Sequence, residues 1–279
     1  MIKSILLPID GSTYSEPVLH YGQFFAKQFG AVLRVLTVID IRLFDWSMAT
    51  GADSFVPLMP SADFQTESQK MQDEKAQKVI EKAAEILKKS DLKFELTKTS
   101  GIPVDEICQY AMENDMVIMG LRGEYERWSN KFLGATVESV TRQITKPVLL
   151  VDKTFTEFKR IHCGYDGSSS ANKALQLSAF ICGVLKIPMQ VISVFDSEEE
   201  RRQILSEAER YLTPYGVEFQ LRHETGDAAN ILIDAQNNSP VPALAIIGSY
   251  GQSRLRELIL GSTTVEMMRR AKKPILLAK

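Results

Sequence analysis

Apolar residues fall along this chain in short, nearly continuous runs separated by longer stretches of helical period. Met116-Val117-Ile118-Met119 and Pro147-Val148-Leu149-Leu150-Val151 have almost no polar interruption, as expected of strands covered on both faces. The runs predict strands near 2–9, 31–39, 93–98, 116–120 and 147–151, then near 160–166, 188–195, 217–223, 243–248 and 274–278. Between them Val79, Ala83 and Ile86 form one apolar stripe, predicting a helix from about Ser68 to Lys89. Strands alternating with helices indicate an α/β fold with a parallel sheet and crossover helices.

The pattern occurs twice. Residues 3–40 and 159–196 share one layout at an offset of 156, so that Asp10-Gly11-Ser12 returns as Asp166-Gly167-Ser168 and Asp40 as Asp196. Near the end of each half, Leu133-Gly134-Ala135-Thr136 matches Leu260-Gly261-Ser262-Thr263, and Lys146-Pro147-Val148 matches Lys273-Pro274-Ile275, now at an offset of 127. The expectation is two tandem doubly wound domains, 1–152 and 158–279, each a five-stranded parallel sheet flanked by helices, joined by a short linker at 152–158. The first copy has a surplus in 41–70, rich in small polar residues and containing Trp46, Gly51, Pro57 and Pro60. That segment reads as a long loop leading into a helix, of the kind that forms lids or contact surfaces. Each half would end in an apolar edge strand that needs cover, so the two last strands are expected to meet inside one chain as a pseudo-dimer. Pairing of whole chains is left open.

Composition narrows the function. The hydrophobic share is 44% and the charged share 24%, ordinary for a globular protein. Residues 1–152 carry a charge of −4 and the remainder +2, giving −2 in all. Neither half is the basic surface of a nucleic-acid binder. The three cysteines, Cys108, Cys163 and Cys182, form no CxxC pair, which favours a reducing compartment. No leader pattern and no span of roughly 20 apolar residues are seen, so a cytoplasmic location off the membrane is expected.

In open parallel sheets, ligands sit beyond the carboxyl ends of the strands where strand order reverses. There the second half carries Asp166-Gly167-Ser168, and then Gly248-x-x-Gly251, nine residues, and Gly261-Ser262-Thr263-Thr264 opening a helix. Glycines admit close approach of an anion, and a helix N-terminus supplies N–H donors and a favourable dipole. Simpler readings stand beside this one. Asp and Ser are ordinary helix caps, and glycines form turns. His162, Cys163 and His223 are too widely spaced for a metal site, and Arg254 and Arg256 suit a solvated face. The Gly-x-x-x-x-Gly-Lys-Ser/Thr, Gly-x-Ser-x-Gly and His-Glu-x-x-His patterns are absent. No lysine sits in the second glycine loop, between Gly248 and Gly261, which argues against rapid phosphoryl transfer there.

Gly-2x-Gly-9x-Gly-Ser after strand four, with Asp-Gly-Ser after strand one and a Lys-Pro-apolar last strand, resembles the universal stress protein family over essentially the whole chain. The resemblance implies ATP as ligand, with Mg2+ accompanying the phosphates. It places Asp166 near the ribose, Val194 against adenine, Ile247 and Gly248 along the nucleoside, and Gly251, Gly261, Ser262 and Thr264 around the phosphates. The first half keeps Asp10, Val38, Gly120, Gly123, Gly134 and Thr136, but ten residues separate Gly123 from Gly134 and Ala135 replaces the serine. It is therefore expected to be the weaker site. The leading reading is a stress-response regulatory protein whose second half binds adenine nucleotide and which serves an unidentified protein client. A nucleotide-independent interaction protein and a slow ATP hydrolase are the alternatives.

Overall fold

The computed structural model describes residues 1–42, 62–124, 134–249 and 260–279. In the first half they form β1 (Ser4–Pro8), α1 (Ser15–Phe29), β2 (Val32–Asp40), α2 (Ala62–Leu87), β3 (Phe94–Gly101), α3 (Pro103–Met112), β4 (Met116–Gly120), α4 (Ala135–Gln143) and β5 (Val148–Val151). The second half follows with β6 (Arg160–Gly164), α5 (Ser169–Leu185), β7 (Met189–Val194), α6 (Glu198–Leu212), β8 (Phe219–Glu224), α7 (Ala228–Asn237), β9 (Ala243–Gly248), α8 (Ser262–Arg270) and β10 (Ile275–Ala278). All ten expected strands are present. Helix α2 starts earlier than its apolar stripe suggested, at Ala62. Of the long segment 41–70, residues 43–61 lie outside the described residues, as do Tyr125, Arg127 and Trp128 in the first glycine loop.

The strands make one ten-stranded sheet in the order β3-β2-β1-β4-β5-β10-β9-β6-β7-β8. Within each half every neighbouring pair is parallel; β5 and β10 alone pair antiparallel, with Leu149 opposite Leu276. The two apolar last strands therefore cover each other inside one chain, and the carboxyl ends of the two sets of strands point in opposite directions.

Each sheet face has its own core. Successive strand residues face opposite sides: Ile5 and Leu7 of β1 join the core beneath α1, α2, α5 and α6, whereas Leu6 joins the core beneath α3, α4, α7 and α8. This is why the central strands read as unbroken apolar runs. The linker is fastened to α1. The buried Tyr21 hydroxyl accepts from the Thr156 amide at 3.0 Å, and its ring stacks on Phe158 with centroids 5.5 Å apart. Phe29 of α1 and Phe180 of α5 meet across the halves at 5.4 Å. Among the described residues no helix is long and apolar enough to cross a membrane.

Candidate functional site

Both Asp-Gly-Ser segments turn sharply from the first strand of their half into a helix. Gly11 and Gly167 have φ of 80° and 74°, a region that only glycine enters without strain. One oxygen of each aspartate secures its own turn, accepting from the Ser12 or Ser168 amide at 3.0 Å. Ser168 then caps α5 by accepting from the Ala171 amide, so in the second half the cap is the serine and not Asp166. Asp10 does more: its second oxygen accepts from the Glu124 amide at 2.8 Å. A Cβ on Gly123 would lie 2.6 Å from that oxygen, so a glycine there lets the carboxylate close on the loop.

The glycines that end β4 and β9 have a packing duty. A Cβ on Gly120 would come within 2.5 Å of the Tyr14 Cβ, and one on Gly248 within 2.6 Å of the Ser170 backbone. These positions let the first turn of α1 or α5 lie against the end of the strand. The glycines that open the last helices differ. Gly134 and Gly261 have φ of −59° and −61°, which any residue adopts. A Cβ on Gly134 would make only ordinary contact, 3.5 Å from the Arg122 Cα. Neither conformation nor packing among the described residues demands glycine at 134.

Nor is a side-chain cap seen on α4 or α8 among the described residues, whereas α5, α6 and α7 have Ser168, Ser197 and Asp227. Leading amide groups without a side-chain acceptor suit an anion. Ala135 and Ser262 stand exposed at equivalent places in the first turn. Thr264 is buried and donates to the Gly248 carbonyl at 3.0 Å, so its hydroxyl is committed to tying α8 to β9. At 137, the position equivalent to Thr264, the first half has a buried valine.

The structure gathers all six first-half candidates around one cavity of about 560 Å³: Asp10, Val38, Gly120, Gly123, Gly134 and Thr136. It lies beyond the carboxyl ends of β1, β2 and β4, the position expected for a ligand in such a sheet, and is in the size range of small-molecule sites. Lys75 and Ala76 bring α2 in as a further wall, and Arg42 and Arg122 add positive charge. Lys75 pairs with Glu124, and Arg42 with Asp40 at 2.6 Å, which holds the Asp40 carboxyl below the usual carboxylate range. Sequence reasoning missed the α2 wall because Ala76 continues the apolar stripe of Val79 and Ala83, which reads as packing against the sheet and not as the side of a cavity.

In the second half, Asp166, Val194, Ile247 and Gly248 occupy the matching ends of β6, β7 and β9, with Gly261 and Ser262 at the start of α8. Gly251, Arg254 and Arg256 lie outside the described residues. His162 is buried in β6 and neither ring nitrogen has a partner among the described residues. Burial, then Arg160, Arg222 and Lys273, pull its pKa to about 4.

The Universal stress protein family model matches residues 1–152 and again 157–279. The chain is 28% identical over 285 residues to Universal stress protein Slr1230 of Synechocystis sp., covering 99% of both. It is 25% identical over 155 residues to Universal stress protein MJ0531 of Methanocaldococcus jannaschii, covering 55% of this chain and 84% of that protein. Among solved structures, a universal stress protein from Archaeoglobus fulgidus aligns with a TM-score of 0.76 at 24% identity, over 99% of this chain and 98% of that one.

Proposed function

Starting from the fact that this chain belongs to the universal stress protein family, with two copies of the family's domain, we propose that it binds an adenine nucleotide as a regulatory ligand. ATP with Mg2+ is the ligand that suits the motif. The main site lies in the second half, around Asp166, Val194, Ile247, Gly248, Gly251, Gly261, Ser262 and Thr264, and the first half acts chiefly as its pseudo-dimer partner. In this reading the protein works in the cytoplasm in a stress response and passes its nucleotide state to a protein client.

One observation carries the reading. In the half with the altered motif, the candidate residues still line one cavity that ends at a helix start without a side-chain cap. The second half has the same order of strands and helices, opens α8 at Gly261 without a side-chain cap among the described residues, and adds Ser262, whose hydroxyl suits a phosphate oxygen. Asp166 and Val194 would hold the nucleoside, and the amides after Gly261 the phosphates. When bound, Mg2+ would offset charge on the phosphates. Calorimetric titration of the full chain with MgATP tests this. About one equivalent per chain is expected, because the first copy lacks the serine and the nine-residue loop. Two equal sites would contradict the partition, and no binding would end the nucleotide reading.

A further inference from the structure

The joint between the halves contains a bond that the repeat does not duplicate. The Lys279 ammonium donates to the Thr141 carbonyl in the last turn of α4. The residue equivalent to Lys279 in the first half is Asp152, whose carboxylate has no N–H to donate. The contact therefore runs one way, from the second half onto a helix of the first.

Each end of this contact leads to a candidate site. Ala278, next to Lys279, pairs with Gly248 of β9, and its carbonyl accepts from the Ser249 amide at 3.1 Å. Ser249 is the last described residue before the second glycine loop. At the other end, α4 opens at Gly134 on the lining of the first-half cavity. Lys279 is largely buried, and desolvation lowers its pKa to about 8, so it stays mostly charged at neutral pH. A cation on the last carbonyls of a helix and an anion at its first amides both act favourably on the same helix dipole.

We propose that Lys279 is the positioning residue that couples the two crevices. A nucleotide seated at the start of α8, where the Gly261 amide donates to the Ser249 carbonyl at 3.3 Å, fixes Ser249 and Ala278, holds Lys279 against Thr141 and firms α4 at the edge of the first-half cavity. The inference rests on the nucleotide reading above and adds a direction to it.

The test is amide hydrogen exchange over residues 135–143 of the full chain, with and without saturating ATP and Mg2+, alongside calorimetry. In the unmodified chain, nucleotide is expected to slow exchange in α4 about fivefold, the low end of ordinary coupling between sites. Lys279→Met should keep ATP binding and lose that response; Lys279→Arg, which keeps a cation and donors, should retain it. If ATP binds the unmodified chain and α4 exchange stays the same, the coupling is wrong while the nucleotide reading stands. The same holds if Lys279→Met responds like the unmodified chain. If ATP does not bind at all, both fall.

Discussion

Thr264 reaches back to the Gly248 carbonyl at 3.0 Å, joining the helix that opens at the candidate phosphate position to the strand that ends at the candidate nucleoside position. The first half has Val137 in that place and lacks this tie. Thr264→Val keeps the shape and removes the hydroxyl. It should cost about 1 kcal/mol of stability and weaken nucleotide affinity as α8 loses its anchor. Urea unfolding and calorimetry of the variant check both parts; unchanged values for both would show the tie to be incidental.

The two helix-opening glycines offer a sharper comparison. A Cβ at Gly134 meets nothing closer than 3.5 Å among the described residues, so Gly134→Val should fold normally and change ATP affinity little. Gly261→Val should abolish ATP binding with the fold intact, since the equivalent backbone angles need no glycine. Ser262→Ala should weaken binding by about 0.5–1.5 kcal/mol, and by more if its bond is to charged phosphate. Equal damage from the two valine variants would remove the assignment to α8.

Tyr21 binds the linker through one hydroxyl, accepting from the Thr156 amide at 3.0 Å and lying 3.3 Å from the Thr156 carbonyl oxygen. Tyr21→Phe leaves the ring in place among Phe24, Phe155 and Phe158 and deletes those bonds. The expected loss is about 1–2 kcal/mol, with faster proteolytic cleavage within 152–158. A cleavage rate equal to that of the unmodified chain would show that ring packing alone holds the segment.

His162 makes the second half acid-sensitive. Its ordinary pKa is near 6.5 and its folded value about 4. Between these values the unfolded chain takes up a proton that the folded chain refuses. Stability from this group is therefore fully present above pH 6.5 and lost as pH falls toward 4, with about 2 kcal/mol gone by pH 5. His162→Leu should lessen the fall in stability between pH 7 and pH 5 by that amount in urea titrations. Identical slopes for the two proteins would mean that the imidazole already shares a proton in the folded chain.

Much of the fold was legible because repetition and burial act on the same residues. Leu6, lodged in one core, and Ile5 and Leu7, lodged in the other, must all be apolar, and that requirement writes a strand plainly into the chain. The meeting of β5 and β10 followed from the same physics, since two bare apolar edges cannot both be left open. The site was harder to read because one residue type serves different ends. Gly248 and Gly120 make room for a neighbouring helix turn, whereas Gly134 leaves space that nothing described fills, and sequence alone cannot separate the two. Thr264 reads from the sequence as a neighbour of the phosphates, and its tie to the Gly248 carbonyl shows only once the fold is known. Lys279 gave no signal, because its partner Thr141 lies 138 residues away and belongs to the other half.

The single antiparallel junction of β5 with β10 also determines the outside geometry of the protein. Because the strand directions reverse there, the two crevices open on opposite rims of a slab about 43 Å wide, taking ten strands at ordinary spacing. A small ligand in one crevice therefore lies at the opposite edge of the strands from a ligand in the other. The two crevices thus share one continuous sheet without sharing an opening.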